Sequence, residues 1–169
     1  MLHIRPITPS DNRPIAEIVL SVMADYEVDP ETTIAGDPTL HHMYENYQED
    51  RAAYFIAVWD DRVVGGCGIR QLQGTDENIC ELQRMFLLPE VRGKGIGKAL
   101  MEKCIRQAEA FGYRQMYIET LSDMLPARQL YKKYGFAEVE RRLGDTGHGG
   151  CDIKMLKALV SQEKMAKRT

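Results

Sequence analysis

The chain has no long apolar run: nothing in its 169 residues approaches the ~20 apolar residues of a bilayer-spanning helix, so no membrane role is expected. It also lacks an excess of positive charge. Lys and Arg total 22 against 25 Asp and Glu, a net charge of −3, which argues against nucleic acid as a partner. Cysteine is scarce, with only Cys67, Cys80, Cys104 and Cys151, no CxxC pair and no histidine at ligand spacing. The expectation is small core residues and no metal site. Residues 1–7 lack the basic-then-apolar pattern of a secretory signal, so a cytoplasmic chain with reduced thiols is expected. Repeats, low-complexity tracts and linkers are missing too. What remains is the composition of an ordinary soluble domain, 44% apolar and 28% charged. The reading is one domain over residues 1–169, with a core over about 2–157 and a polar C-terminal tail.

Glycine is placed where it tells most. Residues 79–88 read as a strand, and Arg92-Gly-Lys-Gly-Ile-Gly-Lys98 follows at the start of a helix. Gly93, Gly95 and Gly97 permit positive φ and close backbone approach. The free N–H groups and positive dipole end of the helix make an anion site, and Arg92, Lys94 and Lys98 add charge. A pyrophosphate suits this arrangement. Two common phosphate loops do not fit. Arg92 stands where a P-loop needs its first Gly, and Ala99 where it needs Ser or Thr. The dinucleotide fingerprint would need Gly where Lys98 stands.

The flanking segments extend the pattern. Ile96, Leu100, Met101, Cys104, Ile105, Ala108 and Phe111 recur at helical spacing, and Gly112 fits the position just past the helix end. Residues 116–120 are rich in strand formers, so a crossover joins two parallel strands. Residues 127–134 form a second short helix closed by Gly135. Upstream, the sequence predicts a strand over 2–7, a helix capped by Ser10 or Asp11 through about 24, a polar loop over 25–37 and a short helix over 39–49. Strands follow at 54–59 and 62–71, joined by a tight Asp60-Asp61 turn. Strands are also expected at 136–142 and 151–156, around a glycine-rich loop.

The 92–98 block resembles the Arg/Gln-x-x-Gly-x-Gly/Ala acyl-CoA loop of the GNAT family of N-acetyltransferases, with Arg92, Gly95 and Gly97 at its fixed positions. Ala127-Arg-Gln-Leu-Tyr-Lys-Lys-Tyr-Gly-Phe136 is similar to the Ala-x-x-Leu-Tyr-x-x-x-Gly-Phe signature of the same family. The two occur together, at about the family's interval. The resemblance covers roughly residues 2–157. It implies an α/β (α+β) fold: a mixed, strongly twisted central sheet of about seven strands with helices on both faces. The strands at 79–88 and 116–120 splay apart in it, opening a slot for pantetheine. It also implies acetyl-CoA as co-substrate and a primary amine of a small molecule or protein terminus as acceptor, by direct transfer. Homodimers are common in the family. A non-catalytic acyl-CoA sensor is the alternative function.

By resemblance, the cofactor-binding residues are Met85, Phe86, Leu87, Arg92, Gly93, Lys94, Gly95, Ile96, Gly97 and Lys98, the first three through backbone groups. Tyr131 matches the tyrosine that, in many relatives, protonates the departing thiolate. A phenol of pKa near ~10 can do so at neutral pH. The competing expectation is one more aromatic on a helix face. Glu81 is the candidate base for the amine; four residues before Met85, it is expected on the same sheet face. Its competing expectation is a solvated charge near a strand end. Many relatives have Asn where this chain has Met124, so that contact to the pantetheine arm is not expected. His41, His42, Tyr44, Tyr47, Arg70 and His148 are candidates for the acceptor pocket.

Overall fold

The computed structural model describes residues 1–147, 149–160 and 162–167. Seven strands form one open sheet in the order β1-β2-β3-β4-β5-β7-β6. They are β1 (Leu2–Pro6), β2 (Ala53–Trp59), β3 (Arg62–Gln71), β4 (Ile79–Leu87), β5 (Gln115–Thr120), β6 (Ala137–Glu138) and β7 (Ile153–Ala158). Neighbours are antiparallel except β4 and β5, which are parallel. Helix α3 (Ile96–Ala110) makes that crossover, since a parallel pair cannot be joined by a hairpin.

Strand alternation sorts the side chains into two apolar layers. Ile96, Leu100, Met101, Cys104 and Ala108 of α3 pack on Phe55, Val64, Cys67, Ile69, Cys80 and Leu82. On the other face, Ile15, Val19 and Val22 of α1 (Asn12–Met23) pack with Leu40, Met43, Tyr47, Tyr54 and Ile56. Each fully buried aliphatic or phenyl side chain stabilises the fold by about 1.5–3 kcal/mol. Helices therefore cover both faces, as the resemblance implies. Cys67, Cys80 and Cys104 are buried free thiols within the first layer.

Several sequence expectations change. Asp11 does not cap α1: buried, it accepts from both terminal nitrogens of Arg5 (2.7 and 2.9 Å) and from the Thr8 amide, bracing the exit of β1. The polar loop over 25–37 contains two single 3₁₀ turns. In place of a helix over 39–49 there is a 3₁₀ segment, Pro38–His42, then one turn of α2 (Met43–Asn46). The strand expected over 136–142 shrinks to Ala137–Glu138. Beyond the Val139 amide bond to Lys154 the chain turns inward, where Arg142 meets Glu119 and the Leu143 amide meets the Tyr117 hydroxyl. β7 begins two residues late, at Ile153, after Asp152, whose carboxylate accepts from the Ser122 amide. In the tail, Gln162–Ala166 forms a short helix, α5.

Candidate active site

Three register pairs join β4 to β5: Ile79 with Gln115, Cys80 with Met116 and Glu81 with Tyr117. Past them β5 continues along β7 to Thr120, while β4 continues along β3 to Leu87. The strands diverge and leave a fork in the sheet.

The β4 arm of that fork is bulged. Gln83 sits opposite Gly68 and Phe86 opposite Gly66, so Arg84 and Met85 together oppose Cys67, and Arg84 adopts φ +52°. A bulge of this kind reverses the alternation beyond it. Cys80, Leu82, Met85 and Leu87 therefore face the α3 side, and Phe86 the α1 side. Glu81 and Met85 consequently lie on opposite faces, not on the same face as their spacing suggests. The Tyr54 hydroxyl donates to the Arg84 carbonyl (2.8 Å). The Tyr54 and Tyr47 rings lie against β3 where a β-carbon on Gly68 would come within 2.6 and 2.8 Å of them. That contact accounts for Gly68.

Beside the fork, a cleft of about 280 Å³ runs between β4, the 92–98 loop and α4 (Leu125–Lys133). Met85, Phe86, Leu87, Arg92, Gly93, Gly95, Gly97 and Lys98 line it, with Met124, Ala127 and Leu130 opposite. Gly93 and Gly95 hold φ of +77° and +78°, and a β-carbon on either would meet no atom within 4 Å. The backbone there is bare towards open space, at the start of a helix with no side-chain cap. That combination fits a bound diphosphate. Two sequence candidates stand apart from the cleft. Ile96 is buried in the core, and Lys94 lies over the Trp59 ring, 5.5 Å from its centroid.

A second, narrower cavity of about 80 Å³ opens inside the fork and shares Met85, Phe86 and Met124 with the cleft. Both candidate catalytic residues line it. Tyr131 is 4% exposed and packs edge-on against Phe136, with 5.9 Å between centroids. Burial pushes its phenol pKa up, so the proton stays on oxygen. Glu81 is 6% exposed, which removes the expectation of a solvated strand-end charge. Its pKa is pushed up to about 7, first by burial and also by the neighbouring charge of Glu119. A hydrogen bond from Gln83 and the cations Arg84 and Arg70 pull it down. The Gln83 amide nitrogen donates to Glu81 Oε2, and the Gln83 oxygen accepts from the Tyr47 hydroxyl (2.6 Å). Glu81 is thus held from behind.

The proposed acceptor residues fare unevenly. His41 and His42 are exposed and, with Tyr44, lie outside both cavities. Tyr47 and Arg70 act behind Glu81 instead of lining the pocket. His148 lies outside the described residues. Sequence reasoning missed Arg84, Gln83 and Glu119, all on the fork cavity. The one available signal was a charge inside the strand-forming run 116–120, on the strand predicted beside Glu81.

Comparison with known proteins agrees with this geometry. The family described as Acetyltransferase (GNAT) family matches residues 20–136. An uncharacterized N-acetyltransferase of Escherichia coli K12, YjgM, is 39% identical over 157 residues, covering 92% of this chain and 93% of that one. A GNAT-family acetyltransferase from Staphylococcus aureus shares the fold with a TM-score of 0.82 at 22% identity, over 95% of this chain and 100% of its own. A phosphinothricin acetyltransferase from Sinorhizobium meliloti, solved with acetyl-CoA, superposes with a TM-score of 0.75 at 23% identity, over 94% and 88%. With the match spanning well over half its length and a relative aligned almost end to end, the chain belongs to the GNAT family of acetyltransferases.

Proposed function

We propose that this acetyltransferase moves an acetyl group from acetyl-CoA directly to a primary amine, with Glu81 as base and Tyr131 as proton donor. The observation that carries the proposal is the fork. It brings Glu81 of β4 and Tyr131 of α4 to one cavity that is continuous, through Met85 and Phe86, with the glycine-loop cleft. Acetyl-CoA supplies an activated acyl carbon there, its C–S bond breaking as the C–N bond forms. The 92–98 loop receives the diphosphate through backbone N–H groups and Arg92. Met124, Ala127 and Leu130 offer the pantetheine arm apolar contact where many relatives have Asn.

An alkylammonium has pKa near ~10.4, so about one molecule in a thousand is neutral at pH 7. Glu81, half ionised near pH 7, accepts that proton. Tyr131 lines the fork cavity, and its phenol is the group that donates to the departing sulfur. Burial that raises the phenol pKa also disfavours a thiolate beside it, which keeps the two pKa values in step. Both groups then exchange protons with water after product leaves.

The test is release of free CoA from acetyl-CoA across a panel of amines, with mass detection of the acetylated product. Turnover with at least one primary amine supports the proposal. Tight CoA binding without turnover on any amine would support an acyl-CoA sensor instead.

A further inference from the structure

We infer that Glu119 is the residue that holds the acceptor, and that the acceptor enters the fork as a primary alkylammonium. This rests on the transferase reading above and adds a binding role that Glu81 does not have.

β5 alternates as a strand must. Met116 and Ile118 pack in the α3-side core, so Tyr117 and Glu119 face the other way, the side of Glu81. The Glu119 side chain is 3% exposed and lines the fork cavity. Neither of its carboxylate oxygens has a hydrogen bond among the described residues. Arg142 Nε lies 2.7 Å from Oε1, but its N–H is not directed at that oxygen; the contact neutralises charge without satisfying a lone pair. Arg142 itself is half exposed, on the loop that follows β6, and its Nη2 donates to the Cys151 carbonyl. A buried carboxylate with open acceptor positions is costly to maintain. Such a group in a cavity marks the place of an N–H donor.

The sign of the ligand follows from the remaining charges. Arg84, the cation among the residues lining the cavity, is engaged by Asp37 Oδ2 (3.2 Å) and Thr39 Oγ1 (2.7 Å). It is not available for an acceptor carboxylate. With Arg142 neutralising Glu119, what the two carboxylates leave wanting in the cavity is an N–H donor. A primary ammonium carries three N–H groups. It can bond to Glu119 and to Glu81 at once, losing one proton to Glu81 while Glu119 keeps hold. About 80 Å³ accommodates the tip of an alkylammonium chain; a quaternary head has no N–H to give Glu119. Arg142 is the internal cation that competes with the alkylammonium for Glu119.

The probe is n-propylammonium, titrated calorimetrically into the protein saturated with CoA, against tetramethylammonium and propionate. The expected result is propylammonium binding at least 10-fold tighter than either comparison ion. Glu119→Gln should weaken propylammonium 10- to 100-fold, the scale of one charge-assisted hydrogen bond, with CoA affinity unchanged. Arg142→Gln, which removes the internal competitor, should tighten it, and does so independently of whether Glu119→Gln folds. Equal binding of all three ions, an unchanged affinity in folded Glu119→Gln, or weaker binding in Arg142→Gln overturns the inference. Glu119-dependent binding without CoA release from any amine leaves the anchoring intact and counts against the transferase reading. Turnover with an unchanged amine KM in Glu119→Gln does the reverse.

Discussion

Replacing Glu81 by Gln should cost the enzyme activity and make the protein more stable, and pH separates the two effects. The Glu81 carboxyl moves from an ordinary 4.5 to about 7 on folding, chiefly by burial. Between those values the folded state binds more protons than the unfolded one, so the contribution of Glu81 to stability falls as pH rises. It is complete below about pH 4.5 and lost once pH passes 7. At 1.36 kcal/mol per pH unit the full difference is about 3 kcal/mol. Gln carries no charge to bury and can still accept from the Gln83 amide nitrogen. Glu81→Gln should therefore match the wild type near pH 4.5 and exceed it by up to about 3 kcal/mol at pH 8. For a domain of this size that is roughly 6–12 °C in Tm. Other titrating groups, such as Asp11 and Asp152 with their lowered pKa values, are common to both proteins and cancel in the difference. Activity moves the other way. Wild-type kcat/KM should rise through pH 7, whereas Glu81→Gln should be most impaired there and recover partly above pH 9 as free amine accumulates. Paired thermal melts from pH 4.5 to 8.5 decide the matter. A Tm difference that does not change with pH would refute the buried, half-protonated carboxyl.

Tyr131→Phe keeps the edge-on packing on Phe136 and removes only the hydroxyl. It should lower kcat roughly 10- to 1,000-fold with little change in acetyl-CoA affinity, and turnover within twofold of wild type would make Tyr131 structural. Arg92→Ala combined with Gly95→Val removes a cation and places a branched side chain in the open space above the loop; calorimetry should show a severe loss of CoA binding in a folded protein. Gly68→Ala puts a β-carbon 2.6 Å from Tyr54 and 2.8 Å from Tyr47. It should destabilise the fold by about 1–3 kcal/mol in urea melts and lower kcat by disturbing the Tyr47–Gln83–Glu81 chain.

The glycine loop, α3 with its Gly112 stop and the Tyr131 helix were legible because each is a local pattern with its own punctuation. The fork residues were not. Arg84 occupies a bulge, and nothing in the run 79–88 marks the extra residue; the cause lies on β3 and in the Tyr54 hydroxyl, both distant in sequence. Strict alternation therefore put Glu81 and Met85 on one face. Glu119 sits among ordinary strand formers and gains its meaning only from the register that places Tyr117 beside Glu81. The strand expected at 136–142 was lost for a related reason: Arg142 finds a buried partner across the chain, which propensity does not weigh.

The three-residue ladder between β4 and β5 has a cost beyond catalysis. Past Glu81 and Tyr117, each arm of the fork turns towards its neighbour a strand edge that no other strand covers. Exposed edges are templates for pairing with other chains, and proteins ordinarily shield them with charge, bulges or a covering element. Here the bulge at Arg84 and the charges of Glu81 and Glu119 interrupt the two edges at the places where a foreign strand would enter. A ligand lying in the cleft covers what they leave open. The fork that opens the sheet to a ligand thus carries its own protection against a foreign strand.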